Sequence, residues 1–595
     1  MHRTHTCGEL RKSNVNARTT LAGWVHRRRD HGGLIFIDLR DRFGVTQIVF
    51  DPQKNAQAHQ MAETLKSEWV IKVDGKVVTR AEGMANPRMS TGDIEVEAEN
   101  LEILSRAKTP PFSISDETIN VNEELRLKYR YLDIRRGLIA QKLLVRHKAL
   151  QASRQFLSDQ NFIEIATPML GRSTPEGSRD YLVPSRITPG HFYALPQSPQ
   201  LYKQILMVAG MDRYFQIATC LRDEDLRANR QPEFTQIDLE MSFGTPEDLF
   251  PIIERLVCHI FKTCKDIEIP APFRRMTYLE CVETYGTDKP DLRFDLHLVD
   301  LREIAERSSF TIFHETLASG GIVKGFRVPK GASLTRRDID QYTEFVGDLG
   351  IKGLAWIKYT DDAVLQSSIV KFFDDSLQKE LIQKMEISPG DLIFMIADEK
   401  SKAHQALDHL RRRVARDRNL INEEEISLLW VTDFPLFAWN SEEKRIESEH
   451  HPFTQPHPDD LEAISTNPLS VRSSSYDLVL NGHEVASGSQ RIHDSELQEQ
   501  IFQVLNISPE DQKIRFGFFL ESLSYGTPPH LGIALGFDRI IMVLTGTENI
   551  RDVIAFPKSS KASDLMTEAP SPVEDEQLLE LCVKLDIPPK INWSS

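Results

Sequence analysis

No two of the six cysteines in this chain (Cys7, Cys220, Cys258, Cys264, Cys281, Cys582) form a CxxC pair or stand at zinc-site spacing. In 595 residues so sparse a set gives no disulfide framework, and it reads as the reduced thiols of a cytosolic protein. Long apolar runs are missing too. The most apolar late segment, 531–544, is broken by Asp538 and Arg539 and cannot span a membrane. Residues 1–10 hold no apolar h-region, so nothing points to export. Nor is there an excess of positive charge: 72 basic against 88 acidic residues give −16. That balance excludes a nonspecific nucleic-acid coat but leaves room for local basic patches. Two exist, Arg27-Arg28-Arg29 and the run from Arg126 to Arg136. What the chain does have is core: 40% hydrophobic and 27% charged residues describe a globular protein, long enough for three or four domains.

The first hundred residues read as five short strands, at 19–25, 33–41, 45–50, 69–78 and 92–104, with turn signals at Gly32-Gly33 and Phe43-Gly44. That spacing fits a small barrel of the OB type, which holds exposed bases on a face aromatic beside arginines. Phe36 and Arg27 to Arg29 are placed for this, although a lone strand aromatic is equally well a core residue. A Pro-rich connector (Thr109-Pro110-Pro111) leads to a helix with Leu143, Leu150 and Leu157 at heptad spacing, then to a strand that carries Pro168. From about 290 to 425 helix and strand signals alternate without clustered chemistry. Residues 355–359 and 392–396 read as buried strands, and a charged helix is expected to start at Arg411. The stretch behaves as an insert.

The densest chemistry lies between Cys220 and Phe243, C-L-R-D-E-D-L-R-A-N-R-Q-P-E-F-T-Q-I-D-L-E-M-S-F. It reads as a strand, a charged loop and a returning strand, with Asp238 and Glu240 two apart and hence on one face. Arg222, Arg227 and Arg230 offer guanidinium forks that match phosphate oxygens. Alone, this could be a surface hairpin with ordinary ion pairs. Its wording, however, resembles the second signature motif of class II aminoacyl-tRNA synthetases, and R-D-E-D-x-R-x-x-R-Q-P-E-F-T-Q-x-D-x-E resembles the bacterial-type aspartyl enzymes in particular. Residues 530–546, H-L-G-I-A-L-G-F-D-R-I-I-M-V-L-T-G, resemble the third motif, and the helix, strand and Pro168 resemble the first.

The resemblance covers essentially the whole chain and carries a full set of expectations. The fold is α+β and multidomain: an OB-fold β-barrel for the anticodon (1–107), a linker (108–135), an antiparallel-sheet catalytic domain (136–288 and 426–565) interrupted by an α/β insert of GAD type (289–425), and a C-terminal extension (566–595). ATP falls to Arg222, Asp223, Glu224, Gln231, Glu484, Gly536, Phe537, Asp538 and Arg539, with Arg222 and Arg539 as the catalytic cations; Gly536 is expected to permit a tight turn. Aspartate falls to Glu176, Ser198, Gln200, Lys203, Arg222, Asp238, His450 and Arg491, and Mg²⁺ to Asp477 and Glu484. On motifs alone, paired histidines before proline (His450-His451) suit a surface turn, and Lys203 a solvated helix face. Ala486-Ser487-Gly488-Ser489 departs from the family's usual glycine triplet.

Phe36 and Gln47 fall on the family's base-contacting positions, and His31 and Gly83 resemble members that charge tRNA-Asn as well as tRNA-Asp. The implied partners are both tRNAs, ATP, L-aspartate, a second copy of the chain, and functionally a tRNA-dependent amidotransferase, without a membrane. The alternatives are an enzyme restricted to tRNA-Asp, an asparaginyl or lysyl synthetase (neither of which matches the insert), and a noncatalytic RNA-binding paralogue, which should have lost Arg222, Glu484 or Arg539.

Overall fold

The computed structural model describes residues 2–116, 118–174 and 178–587. The chain divides into two compact units, Met1–Leu144 with Ile554–Ser571, and Val145–Val553 with Pro572–Ser595.

The first unit is built on a closed five-stranded barrel of β1 (Arg18–His31), β2 (Leu34–Asp41), β3 (Gly44–Phe50), β4 (Val70–Thr79) and β5 (Ile94–Ser105), in the order β1-β2-β3-β5-β4. Strand alternation puts Leu21, Val25, Ile35, Ile37, Leu39, Ile48, Val73 and Val96 inside, all at most 2% exposed. Closing β1 onto β2 with His31 opposite Leu34 leaves a two-residue turn at Gly32-Gly33. Both glycines have positive φ, +59° and +80°, the primed-turn geometry that L-residues adopt at a cost.

The second unit holds two sheets. The larger has eight strands: β6 (Ile163–Glu164), β9 (Arg213–Leu221), β10 (Glu233–Ser242), β11 (Arg274–Thr277), β17 (Leu428–Thr432), β20 (Ser475–Leu480), β21 (His483–Gln490) and β22 (His530–Gly536), ordered β11-β17-β20-β21-β22-β10-β9-β6. All of its pairings are antiparallel except β11 with β17 and β6 with β9. Two small hairpins stand beside it, β7 (Leu182–Pro184) with β8 (Phe192–Ala194) and β18 (Phe437–Asn440) with β19 (Arg445–Ser448). The helix Pro246–Lys265 starts on a Thr245–Asp248 capping box with proline in its first turn, and its apolar stripe is buried. It locks to the sheet through Phe250, stacked on Trp430 at 4.1 Å, and Glu254, which accepts from Trp430 Nε1 at 3.0 Å.

The smaller sheet lies wholly between 299 and 398: β12 (Val299–Asp300), β13 (Ile322–Val328), β14 (Ala355–Tyr359), β15 (Leu365–Gln366) and β16 (Leu392–Asp398), in the order β12-β13-β16-β14-β15. Its helix Lys400–Asp417, capped by Glu399, begins at Lys400, eleven residues before the start expected at Arg411. The buried stripe Ala403, Ala406, Leu407, Leu410 and Val414 sets that start. Arg411 itself is 0% exposed, and its guanidinium sits over both Tyr285 (4.9 Å) and Phe294 (4.6 Å). One arginine of this charged run is therefore core.

Candidate active site

Strands β10, β21 and β22, the helix Gln200–Val208 and the loop between β9 and β10 line a cavity of about 370 Å³. Thirteen expected ligand-binding residues line it: Ser198, Gln200, Lys203, Arg222, Glu224, Gln231, Asp238, His450, Glu484, Arg491, Gly536, Asp538 and Arg539. Asp223, Phe537 and Asp477 are not on its wall. Glu176 lies outside the described residues.

The floor is a buried ion quartet. Lys203, 1% exposed rather than solvated, donates from Nζ to Asp238 Oδ1 at 2.5 Å and stands 3.3 Å from Glu240 Oε2. Arg491, 2% exposed, donates from Nε and Nη2 to the two oxygens of Glu240 at 2.9 and 3.2 Å. Its Nη1 donates to Ser489 Oγ at 2.6 Å and faces His451 Nε2 at 2.8 Å. His451 is therefore the acceptor, and burial, with Arg491 beside it, holds its ring well below the usual histidine range, so it stays neutral. The two carboxylates separate electrostatically. Burial drives Asp238 up against the pull of Lys203, whereas Arg491 and Lys203 outweigh burial at Glu240 and hold it below its ordinary value.

Several polar atoms around this floor are buried and find no hydrogen-bond partner among the described residues: Asp238 Oδ2, Gln200 Nε2, His450 Nδ1 and Arg222 Nε. Partnerless buried donors and acceptors are costly unless a ligand completes them. This set offers acceptors for an ammonium group and donors for carboxylate or phosphate oxygens. Burial holds His450 below its ordinary pKa. The Arg222 guanidinium lies over the Phe234 ring at 5.1 Å, as a cation without a fixed carboxylate would be held for an arriving anion.

At the other end, Arg539 donates to the backbone carbonyl of Glu484 at 2.6 Å and stands 3.7 Å from its carboxylate. Asp477, on β20 beside β21, keeps Oδ1 buried without a hydrogen-bond partner among the described residues, with His450 Nε2 3.9 Å away. Burial first, and then Glu484, push its carboxyl well above the ordinary range. Two neighbouring carboxyl groups, one with a bare buried oxygen, are a donor set that fits a hard divalent cation. Among the described residues no group of three or more His, Cys, Asp or Glu is arranged to hold a metal alone, so further ligands for such an ion would come from elsewhere.

Three of the expected residues also have local structural roles. Gly536 has φ −68°, so no left-handed turn requires it; it caps the helix Phe537–Thr545. Asp538 reaches the wall, but one oxygen pairs with Arg146 and the other accepts from the Thr235 amide at 2.7 Å, so it braces β10. Phe537 is 0% exposed with Arg146 over its ring, a packing residue. What sequence reasoning left unassigned is Glu240, His451 and Ser489. The alternation of Asp238 and Glu240 is the signal that flags the first, and the doubled histidine the second. The Ala486–Ser489 departure leaves Gly488, where an added Cβ would meet the Gly532 carbonyl oxygen at 2.2 Å. That is the one position of the four at which close strand approach demands glycine.

On the barrel, Phe36 is half-buried and points away from the core side occupied by Ile35 and Ile37. It pairs across the sheet with Arg29, and Asp38 with Gln47. Arg29 donates to Asp38 Oδ1 at 2.6 Å and to Gln47 Oε1 at 3.1 Å. The result is an outer face of one aromatic, one arginine and one amide. His31 is exposed at the hairpin tip, and Gly83, also exposed, has φ +79° in an open loop.

A barrel with an aromatic–arginine face and an antiparallel sheet with a cationic cavity define a class. The chain matches the model of the tRNA synthetases class II (D, K and N) over residues 122–560, and that of the OB-fold nucleic acid binding domain over residues 19–104. It belongs to the class II tRNA synthetases of the D, K and N group. Within that class it is 64% identical over 583 residues to the Aspartate--tRNA(Asp/Asn) ligase of Protochlamydia amoebophila, covering 98% of this chain and 97% of that protein. It is 59% identical over 584 residues to the protein of the same name from Chlamydia caviae, covering 98% and 99%. Among solved structures, asparaginyl-tRNA synthetase from Pyrococcus horikoshii complexed with asparaginyl-adenylate superposes with a TM-score of 0.59 at 18% identity, covering 93% of this chain and 98% of that one. At that identity the likeness is one of fold.

Proposed function

We propose that the protein is an aspartate--tRNA ligase that activates L-aspartate with ATP and transfers it to both tRNA-Asp and tRNA-Asn. The observation that carries the reading is the buried quartet of Lys203, Asp238, Arg491 and Glu240, the first three of which line one cavity with Arg222 and Arg539. Aspartate brings a side-chain carboxylate as well as the reacting one, and Lys203 and Arg491 are the cations placed for it, with His450 alongside. Asparagine would put an amide NH₂ against these donors and leave them partly unpaired. Asp238 Oδ2, Gln200 and, by the family resemblance, Glu176 take the α-ammonium, with Ser198 nearby.

The α-carboxylate then attacks the α-phosphorus of ATP, and the bond to the bridging oxygen breaks to release pyrophosphate. The terminal ribose hydroxyl of the tRNA attacks the resulting mixed anhydride and releases AMP. No side chain acts as nucleophile: Arg222 stabilises charge at the α-phosphate, and Arg539, Glu224 and Gln231 position the nucleotide. Asp477 and Glu484 are the residues that would hold Mg²⁺, which when bound supplies neutralising charge to the phosphates. Chelation with EDTA is therefore expected to abolish aspartate-dependent pyrophosphate exchange.

The outer barrel face, with Phe36 and Gln47, receives the anticodon, and the chain pairs with a second copy along β6. Around that edge Ile163, Met169, Leu170, Leu182 and Phe192 are 42–57% exposed, which supports the pairing. The segment assignments 1–107, 108–135, 136–288, 289–425, 426–565 and 566–595 belong to the same proposal. His31 and Gly83 at exposed loop positions favour the relaxed form, as do the names of the relatives, and Asp-tRNA-Asn would then feed an amidotransferase. Charging of purified tRNA-Asp and tRNA-Asn side by side tests it. Aspartylation of both is expected; aspartylation of tRNA-Asp alone would refute the relaxed reading, and of neither the whole reading.

A further inference from the structure

Glu240 is 0% exposed, and its carboxylate is not on the cavity wall, yet it contacts both cations of the floor. It takes Arg491 on two oxygens and comes within 3.3 Å of Lys203 Nζ. The sheet makes room for it. Gly532 on β22 stands directly opposite Glu240, and a Cβ there would fall 1.7 Å from Glu240 Oε2. Tyr476 donates to the Gly532 carbonyl at 3.1 Å and fixes that strand from the far side. A carboxylate seated this deliberately, on two cations and against a bare backbone, has a narrower task than general stability.

Resting on the aspartate reading above, we propose that Glu240 is a positioning residue for the substrate side chain: it anchors Lys203 and Arg491 to one buried carboxylate so that both face the cavity, and thereby sets the preference for a carboxylate over an amide. The bidentate contact uses the Nε–Nη2 edge of Arg491 and leaves Nη1, steadied by Ser489 and neutral His451, as the edge turned elsewhere. The contact to Lys203 keeps that ammonium from belonging to Asp238 alone, whose second oxygen thus stays open.

Two effects compete when Glu240 loses its charge. Removing an anion makes the pocket more cationic, which by itself tightens aspartate. Releasing the anchor lets Lys203 and Arg491 collapse onto Asp238, the remaining carboxylate, already 2.5 Å from Lys203. In a buried site two cations left with one carboxylate close on it, since an unpaired charge there is strongly disfavoured. The second effect therefore dominates, and both cations withdraw from the ligand.

The test is Glu240→Gln in the full-length protein, equal in volume, assayed by aspartate-dependent ATP–pyrophosphate exchange and by aspartate-induced rise in Tm. The KM for aspartate is expected to rise about tenfold or more. The KM for ATP should stay within about twofold, since the ATP end of the cavity is untouched, and the selectivity for aspartate over asparagine should fall with the aspartate affinity. The aspartate-induced Tm shift should shrink at a given aspartate concentration while the ATP-induced shift remains. A merely structural role would instead lower the basal Tm and leave the ratio of the two KM values alone, which overturns the proposal. Tighter aspartate binding in the variant overturns it too, and makes Glu240 a brake on binding. Where Glu240→Gln does not fold, Glu240→Asp, which withdraws the charge without removing it, carries the same readouts. Absence of aspartate-dependent exchange in the unmodified protein refutes the aspartate reading itself and is a separate outcome.

Discussion

Strands β10 and β16 are both central strands of antiparallel sheets in the same unit, both buried on two faces, and they are filled by opposite rules. In β16, Leu392, Phe394 and Ile396 enter one apolar core, and Ile393 and Met395 the other. In β10, Ile237, Leu239 and Met241 alternate with Asp238 and Glu240, each 0% exposed. The smaller sheet shows a central strand filled by apolar packing on both faces. An ion quartet of the kind under β10 seldom stabilises a fold, because desolvating the charges costs about as much as their attraction returns. Its presence marks where ligand recognition, rather than packing, chose the residues.

The contrast can be broken first at its cationic end. Arg222→Ala should lose pyrophosphate exchange by on the order of a thousandfold with little change in Tm, the loss expected for a donor aimed at developing charge. A near-normal rate would remove Arg222 from the chemistry. In the smaller sheet the reverse is expected. Leu407→Ala, in its packed core, should destabilise by about 2–5 kcal/mol while the KM for aspartate and ATP hold. A shift in either constant would show that the insert's packing and the cavity are energetically coupled.

A third surface, the barrel's outer face, should separate binding from chemistry. Phe36→Ala is expected to raise the KM for tRNA roughly tenfold, one stacked base's worth, and to leave tRNA-independent exchange as it was. The smallest effect concerns His404 in the insert, whose ring is pushed down to about 4, by burial first and then by Lys324. Its folded value lies below its unfolded one, so the folded state resists protonation. The stability it permits is complete above about 6.5 and is lost as pH falls toward 4. His404→Leu should flatten the Tm profile across that window, and an unchanged slope would place the titration in other groups.

Local pattern made much of this legible. The five barrel strands follow from alternation and paired glycines, and the Asn481-Gly482 hairpin follows from its turn residues, which adopt φ +48° and +78°. The motifs around Arg222 and Arg539 carried the resemblance, and with it most of the cavity wall. What could not be read were pairings across distance. Nothing local ties Arg146 to Asp538, so the brace that Asp538 gives β10 from the cavity wall was not readable. Periodicity could place Asp238 and Glu240 on one face, but not say that one would be driven up and the other held down. That depends on which cations arrive from the helix Gln200–Val208 and from the end of β21. Nor does the arginine run at 411–413 show which guanidinium is buried, since a buried arginine and a solvated one share the same letter.

The pairing of Glu240 with Gly532 also sets a clock. These residues are about 290 positions apart, with the whole smaller sheet made in between. At about 5–20 residues per second, a ribosome takes roughly 15–60 s between them. Throughout that interval β10 has its neighbour β9 but not β22, and for most of it not Arg491 either, so two carboxylates destined for the interior stand hydrated on an open sheet edge. Their charge is an asset at that stage, since a charged edge resists pairing with a neighbouring nascent chain. The same two residues that floor the finished cavity would then guard the unfinished one, and the enzyme becomes competent only as its last strand leaves the exit tunnel.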